Sequence, residues 1–414
     1  MINDIIIIGS GISGLNIAYQ LLKDNPKLKI LILEKNNYIG GRIKTETYKI
    51  KSHTYRYEEG AGRFNDNHKL LHNLIKELGL EDNIIKINAD ISFYPSTAYN
   101  EKYLHKSPFQ YINIVIKESK KENIKTLQKY TFIEYAKTVL DEEDVKFILD
   151  SFGYYAQLVK MNAYNALKLF NDGMNPNLNF YTLNNGLSSI IDNLSAYIIR
   201  DNGKILLDNY VSKVEYSNML FNVYSNDKIY RSKNCIMAIP KPDLLKFTIL
   251  KDYKPLIKSI NTKSLCRIYA IFDKKDIWFK DISKSTTNNN SRYIIPIDKK
   301  NGLIMIAYSD SKFANYWNKL ENTNEELFKN RLKDNIYKTF NKKIADPIYL
   351  KKCYWTLGTG FWRKNIDSKI VSKKMIQPNT TIPLYICGEN YSENQGWIEG
   401  ALETSYEVIK KIKF

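Results

Sequence analysis

The sequence is poor in residues that mark metal and disulfide proteins. Its four cysteines are scattered and form no CxxC pair, so neither a zinc site nor a disulfide framework is predicted. Among the four histidines only His68 and His72 are spaced i, i+4, and a plain helix face is the favoured interpretation. We expect no metal. The scattered cysteines favour a reducing, cytoplasmic location.

Long apolar runs and an excess of acidic residues are also missing. No stretch approaches the roughly 18 apolar residues of a membrane span, and no basic leader precedes the strand pattern at Met1–Ile8. We therefore expect no membrane span and no signal peptide. The 62 lysines and arginines exceed the 44 acidic residues, giving a net charge of +18. Because acidic residues interrupt the basic clusters, as at Lys117–Lys125, we expect no specific nucleic-acid partner.

The composition is otherwise that of an ordered globular protein, with 43% hydrophobic residues. At about 150 residues a domain, the chain predicts two or three domains. It opens with a βαβ pattern: a strand over Asp4–Ile8, a helix over Ile12–Lys23 and a strand over Leu28–Glu34. This order of elements predicts a Rossmann-like α/β domain.

The pattern then alternates. Residues 90–181 show amphipathic helical spacing, whereas residues 204–239 and Ser264–Phe272 indicate strands. A short strand over Pro383–Cys387 and a helix over Gly400–Lys411 close the pattern. We therefore expect two interleaved domains. The segments are residues 1–85, 200–240 and 380–414 for a dinucleotide-binding domain, and residues 86–199 and 241–379 for an α+β substrate-binding domain.

A glycine motif lies between the first predicted strand and helix. Gly9, Gly11 and Gly14 fit GxGxxG, in which the first permits a tight turn, the second a close pyrophosphate and the third close helix–strand packing. The helix N-terminus would offer free N–H groups to the phosphates. Glu34 follows Gly14 by 20 residues, where an acid meets a ribose hydroxyl. The motif predicts a dinucleotide site that disfavours a 2′-phosphate.

Glu34 leads into Gly40-Gly41-Arg42, a segment that an ordinary NAD dehydrogenase has no reason to carry. Two glycines let the chain pass beneath a cofactor, and the arginine can neutralise a pyrophosphate. On this element the sequence resembles the flavin-containing amine oxidase superfamily. That group includes monoamine, polyamine and L-amino-acid oxidases, with porphyrinogen oxidases and carotene desaturases as relatives. The resemblance implies FAD and an amine oxidase-like two-domain architecture.

Further segments match this superfamily in order. Glu59–Phe64 is similar to the segment beside the flavin ring, and Val211 to a valine whose backbone contacts adenine. Gly388-Glu389 and Gln395–Leu402 resemble the closing motif, whose helix points its N-terminus at the flavin. The expected cofactor-binding residues are Gly9, Gly11, Ser13, Gly14, Glu34, Lys35, Gly41, Arg42, Gly62, Arg63, Val211, Gly388, Glu389, Trp397 and Ile398.

Two tryptophans match positions where the superfamily holds the substrate nitrogen between aromatic rings. Trp397 lies in the closing motif and Trp362 in the segment Gly358–Trp362; such rings orient an amine and exclude water. An ordinary core tryptophan is the alternative for each. Some relatives bind FAD covalently through a cysteine in the second segment. Because Phe361 stands at that position, we expect non-covalent FAD.

Two arginines complete the expected catalytic set. Arg63 matches an arginine that clamps the substrate carboxylate in amino-acid oxidases, a role that suits its planar fork. A cofactor contact or an internal salt bridge is the alternative. Arg267 stands where family oxidases carry a lysine that holds a water near flavin N5. Because arginine and lysine are not interchangeable, either Lys263 serves instead or oxygen reactivity differs.

The resemblance favours FAD-dependent oxidative deamination of an amine or L-amino acid. The C–H beside nitrogen would pass a hydride to flavin N5, giving an imine, and oxygen would become hydrogen peroxide. A porphyrinogen or isoprenoid oxidase-desaturase, a sugar-nucleotide mutase and a non-catalytic flavoprotein stay open as alternatives. The expected partners are a small-molecule substrate and oxygen, with a homodimer as an open option.

Overall fold

The computed structural model describes residues 2–413, which fall into two compact units. The first unit contains the residues up to 87, residues 180–261 and the residues from 366 onward; the second contains residues 88–179 and 262–365. These boundaries differ from the expected ones. The segments that group with the first unit, against expectation, are residues 86–87, 180–199, 241–261 and 366–379.

Two chain segments make up the N-terminal part of the fold. Residues 2–87 form β1 (Ile2–Ile8), α1 (Ile12–Asp24), β2 (Ile30–Leu33), β3 (Thr45–Ile50), β4 (His53–Glu58), β5 (Phe64–Asn65), α2 (Lys69–Glu77) and β6 (Ile84–Ile87). Residues 88–179 form β7 (Ser92–Phe93), α3 (Phe109–Ser119), α4 (Ile124–Gln128), α5 (Phe132–Ala136), α6 (Glu142–Ser151), α7 (Tyr155–Val159) and α8 (Ala163–Asp172). The second segment, for which the sequence predicts helices, thus contains six short helices, α3 to α8.

The remaining elements follow in three segments. Residues 180–261 form β8 (Phe180–Leu183), α9 (Ser188–Arg200), β9 (Lys204–Leu206), β10 (Val211–Ser217), β11 (Leu220–Ser225), β12 (Lys228–Met237), α10 (Lys241–Leu244) and α11 (Lys254–Ile257). β13 (Ile260–Ile271) leads into residues 262–365, which add β14 (Ser285–Thr286), β15 (Tyr293–Asp298), β16 (Leu303–Asp310), α12 (Ser311–Thr323), α13 (Glu325–Phe340) and β17 (Tyr349–Trp362). Residues 366–413 form α14 (Ser368–Ile376), β18 (Leu384–Ile386) and α15 (Ile398–Lys411).

The first unit is built on a seven-stranded sheet in the order β10-β11-β12-β1-β2-β9, with β18 paired to β12. β1 runs parallel to β2 and β12, and its Ile5, Ile6 and Ile7 are fully buried. Strands buried on both faces read as continuous apolar runs, which explains the sequence of β1. The glycine motif follows β1 directly, so it lies at the carboxyl edge of the parallel strands, where α/β sheets bind ligands.

A small sheet of the first unit, in the order β5-β8-β6, explains why residues 180–199 group with this unit. Phe64 pairs with Tyr181 and Asn65 with Phe180, and α9 packs on α1. Residues 180–199 therefore complete the first unit. These contacts join segments more than 100 residues apart in sequence, and helical or strand periodicity does not reveal such pairings.

The second unit contains a six-stranded sheet in the order β17-β13-β16-β15-β14-β7. Alternate residues of β13, including Cys266 and Ile268, join Trp317 of α12 and Phe328 of α13 in an apolar core. The residues between them, Arg267 among them, therefore belong to the opposite face. Within residues 2–413, no helix combines the length and the apolar character that crossing a bilayer requires.

Candidate active site

The glycine loop after β1 is shaped by close backbone contacts. A Cβ on Gly14 would lie 2.3 Å from the Gly9 carbonyl oxygen, and one on Gly9, which has φ +102°, would lie 2.6 Å from the Ala238 oxygen. A Cβ on Gly11 would meet no atom within 4 Å. Gly9 and Gly14 thus serve packing, whereas Gly11 faces open space that a pyrophosphate can fill. Ser13 is buried in the first turn of α1.

Glu34 lies one residue beyond β2 and is buried. Its Oε2 accepts hydrogen bonds from the Ser10 backbone N (2.8 Å) and Oγ (2.9 Å). Its Oε1 accepts two from Asn36, each of 2.9 Å. The carboxylate is therefore fixed beside the glycine loop, at the place where a ribose acid is expected.

The segment after Glu34 crosses the glycine loop. Gly40 N donates to the Ser10 oxygen (2.9 Å), and Gly41, with φ +60°, approaches Gly11 so closely that its Cβ would lie 3.4 Å from the Gly11 Cα. Arg42 Nη1 then donates to Glu389 Oε1 at 2.6 Å. The two motifs at opposite ends of the sequence therefore meet in the first unit.

The closing motif is held in place by side-chain bonds to its backbone. Glu389 Oε2 accepts from Gly396 N (2.9 Å), and Thr404 Oγ1 accepts from Gly388 N (2.9 Å). α15 begins at Ile398, two residues earlier than expected, with Trp397 as its N-cap and no side-chain cap on its first turn. The free N–H groups of that turn are available to a ligand.

Other expected cofactor residues also belong to the first unit. Lys35 Nζ donates to Asp243 Oδ2 (2.9 Å), so its charge is matched within the protein. Val211 is buried at the start of β10, and Asn209 N donates to the Glu34 carbonyl (2.7 Å), which brings this segment beside β2. Gly62 lies in the partly buried turn before β5.

Arg63 stacks on two aromatic rings. The guanidinium carbon lies 4.4 Å from the ring centre of Phe180 and 5.8 Å from that of Trp397. Within residues 2–413, no side chain or carbonyl accepts a hydrogen bond from this guanidinium and no carboxylate pairs with it. A partly buried, preorganised guanidinium without an acceptor is suited to a carboxylate ligand.

The residues fit FAD in two further respects. A Cβ on Gly388, as on Gly11, would meet no atom within 4 Å, which leaves room for a cofactor against the backbone. The Trp397 indole N–H is buried and has no acceptor within the described chain. An unsatisfied buried donor is costly, so an acceptor supplied by a bound molecule explains it.

The two expected catalytic residues of the second unit are buried. Trp362 has no accessible surface, and its carbonyl accepts from Asn162 N (2.9 Å). The Arg267 guanidinium lies over the Tyr308 ring (4.5 Å to its centre) and donates to the Tyr308 hydroxyl (3.3 Å). The pKa of Arg267 lies above its usual value: burial lowers it, but the surrounding tyrosines raise it by more. Arg267 therefore stays charged.

Two residues near Trp397 were not predicted from the sequence to have a role. The Glu399 carboxylate accepts hydrogen bonds from Leu70 N (2.9 Å) and Leu71 N (3.0 Å), and so caps α2 from another helix. His68, the N-cap of α2, packs its ring against Trp397. The only feature of the sequence that hints at these contacts is the absence of Ser, Thr, Asp or Asn at the N-cap of α2, which leaves its first N–H groups in need of another acceptor.

Comparison with known proteins agrees with this geometry. The model of the flavin-containing amine oxidoreductases matches residues 12–114 and 116–408. The chain belongs to this family. The chain is 23% identical to a probable flavin-containing monoamine oxidase A of Dictyostelium discoideum, over 99% of the chain and 97% of the relative. An L-amino-acid oxidase of Siganus canaliculatus is 28% identical over 40% of the chain and 29% of the relative.

Solved structures of the family have the same fold. A redesigned putrescine oxidase superposes with a TM-score of 0.76 and a putative protoporphyrinogen oxidase from Exiguobacterium with 0.74; each is 15% identical, covering 99% of this chain and 98% of its own. These structures show the mixed α/β fold. The family match makes the protein an FAD-dependent oxidoreductase, and membership of this family implies a small-molecule substrate and oxygen. FAD is its cofactor.

Proposed function

We propose that the enzyme oxidises an L-amino acid, or an amine that carries a carboxylate, with Arg63 holding that carboxylate. The observation that carries the proposal is the Arg63 guanidinium, which stacks on Phe180 and Trp397 and has no protein acceptor within residues 2–413. A purely structural arginine is normally matched by a carboxylate or carbonyl. A simple amine would leave this cation without a counter-ion.

The remaining chemistry follows from the same corner of the first unit. The Trp397 ring would shield the reacting carbon from water and orient the nitrogen. FAD, when bound, supplies the acceptor for the hydride that leaves the carbon beside nitrogen. The nitrogen loses a proton, and water hydrolyses the resulting imine to ammonia and a carbonyl compound, which is a keto acid when the substrate is an L-amino acid. Oxygen takes up the two electrons and two protons to give hydrogen peroxide.

The roles of the cofactor residues are part of the same proposal. The glycine loop and Arg42 would bind the pyrophosphate, Glu34 the ribose, Val211 the adenine, and Glu389 with the first turn of α15 the flavin side. The second unit would provide the substrate-binding domain. Trp362 as an aromatic wall and Arg267 as a substitute for the family lysine stay predictions, and both side chains are buried.

Anaerobic reduction of the flavin tests the proposal. L-Amino acids are expected to bleach the flavin absorbance. The same molecules without their carboxylate are expected to reduce the flavin at least about 100-fold more slowly. Bleaching by decarboxylated amines alone, or by a porphyrinogen alone, would contradict the proposed substrate class.

An arginine series tests the role of Arg63. Arg63→Gln should raise KM for amino acids by about 100-fold or more, and Arg63→Lys should restore part of the affinity because the charge remains but the fork is lost. Arg56→Gln is the matched control, since Arg56 is an exposed arginine of the first unit whose Nη1 donates to the Asn184 carbonyl (2.7 Å). It should leave KM unchanged.

A further inference from the structure

The N-terminal turn of α2 is attached to the start of α15 by two different contacts. The His68 and Trp397 rings lie 4.7 Å apart between centres, inclined at 61°, which is an edge-to-face arrangement. Two residues beyond Trp397, the Glu399 carboxylate accepts from Leu70 N and Leu71 N. The side chain that would face the substrate therefore sits on a junction between two helices.

His68 is neutral in this environment. Its Nδ1 accepts a hydrogen bond from Asn65 N (3.3 Å), so the ring proton resides on Nε2. Burial, together with the charges of His72 and Arg63, lowers the pKa of His68 to about 3. A histidine with so low a pKa is neither a useful general base nor a cation at neutral pH. Its contribution must come from packing and hydrogen bonding.

Asn65 links this histidine to the Arg63 side chain. Asn65 pairs with Phe180 across β5 and β8, and the Phe180 ring is one of the two faces on which Arg63 stacks. Trp397 is the other face, and its ring is also the one that His68 contacts. The guanidinium of Arg63 and the imidazole of His68 thus share the Trp397 ring, and displacement of that ring would remove one of the two faces on which Arg63 stacks.

We propose that His68, assisted by Glu399, is a positioning residue that fixes the Trp397 indole and thereby sets the Arg63 guanidinium for carboxylate binding. The proposal rests on the proposed function of Arg63. It adds a determinant of substrate affinity that acts through the Trp397 ring.

The chain offers a matched control in His72, one turn farther along α2. His72 Nε2 also bonds to Asn65, at its carbonyl oxygen (3.2 Å), but its ring packs on Phe64 and Tyr181 instead of Trp397. A variant of His72 therefore disturbs the same helix and the backbone of the same residue, Asn65, without removing the ring that contacts Trp397. It therefore shows how much benzoate affinity changes when α2 is destabilised and the His68–Trp397 contact remains.

The experiment measures binding of benzoate, a carboxylate that cannot be deaminated, by the change in flavin absorbance of the holoenzyme. His68→Gln retains an acceptor for Asn65 N but loses the ring, and should weaken benzoate binding by about tenfold, the worth of an edge-to-face pair. His68→Phe keeps the ring and should bind within about threefold of wild type. His72→Gln should bind like wild type, and all three should retain FAD.

A second readout separates the two proposals. Near-ultraviolet circular dichroism, taken as the difference from Trp397→Phe, follows the indole directly and should lose its signal in His68→Gln but not in His72→Gln. If wild type binds no benzoate, the proposed function fails while this signal still tests positioning. Equal losses of signal in the two histidine variants, or none in His68→Gln, would overturn the positioning role. So would unchanged benzoate affinity in His68→Gln, provided that wild type binds benzoate.

Discussion

Arg42 and Glu389 stand 347 positions apart in the chain, and Nη1 of the first donates to Oε1 of the second at 2.6 Å. Glu389 is almost fully buried, whereas about a third of the Arg42 side chain is exposed. Glu389 also fixes Gly396 N. The bond therefore connects the glycine loop region to the segment that ends at Trp397, and FAD binding should depend on both residues together.

A double-mutant cycle on this pair tests that dependence. Arg42→Met and Glu389→Gln should each weaken FAD binding by about 10–100-fold, since each removes the ion pair that joins the two motifs. Their combined effect should fall short of the product, with a coupling of about 1–2 kcal/mol. Fluorescence titration of apoprotein with FAD measures all four affinities. Strictly multiplicative effects would mean that the two residues act separately.

The glycine loop predicts opposite outcomes for two alanine substitutions. Gly11→Ala places its methyl group in open space, so the apoprotein should fold with unchanged thermal stability while FAD affinity falls by at least about tenfold. Gly14→Ala would strike the Gly9 carbonyl at 2.3 Å, so it should destabilise the fold by about 1–3 kcal/mol or more. Thermal melts of the apoproteins, followed by FAD titration, distinguish the two. Unimpaired FAD binding by Gly11→Ala would argue against a pyrophosphate at this loop.

The cap that Glu399 places on α2 predicts a local change in stability. Glu399→Gln should increase amide hydrogen exchange at Leu70 and Leu71, with a loss of about 1–2 kcal/mol, because a neutral amide accepts more weakly than a carboxylate. Glu403→Gln is the control, since Glu403 lies one turn along the same helix and accepts from the Asn394 side chain instead. Equal exchange at Leu70 in both variants would show that the cap contributes little.

Two buried groups give the pH dependence of stability opposite signs. Burial raises the pKa of Asp310 to about 6, although Ala156 N, Tyr155 N and the Arg292 charge favour its ionised form. The native state therefore binds this proton more tightly than the unfolded chain, and stability is lost as pH rises from about 4 through 6. The lowered pKa of His68 acts the other way, so that stability is lost as pH falls from about 6.5 towards 3.

Substitution separates the two contributions. Asp310→Asn should remove the first, so that wild type gains stability relative to the variant as pH falls from about 7 to 4.5. His68→Phe should remove the second, with the opposite trend. Urea denaturation at several pH values gives the midpoints for each protein. A constant difference between wild type and Asp310→Asn would show that Asp310 does not titrate in this range.

The cofactor side of the site could be predicted from the sequence because its signals are local. Gly9, Gly11 and Gly14 are required by turns and close approaches within a few residues, and Glu34 follows one helix later. The predicted ends of the strands and the helix of the βαβ unit differ from the observed ends by no more than two residues. The family resemblance adds Gly388 and Glu389, which are distant in sequence, to the predicted cofactor-binding residues.

The rest depended on contacts that leave no local pattern. His68 was interpreted as an ordinary helix-face residue, because its spacing says nothing about the Trp397 ring 329 positions away. Glu399 lies within the closing motif, but the sequence predicts no role for it, because its partners are backbone N–H groups of another helix. Arg63 was identified by resemblance alone, and only the structure shows that its guanidinium lies between two rings.

The interleaving of the first unit has a consequence for biosynthesis. β1 and the glycine loop are translated before the second unit, whereas Glu389, Gly396 and Trp397 are translated after it. A nascent chain therefore carries only part of the proposed flavin site while the second unit is being translated, because Glu389, the partner of Arg42, has not yet been made. Flavin should accordingly be acquired only after translation has passed Ile398.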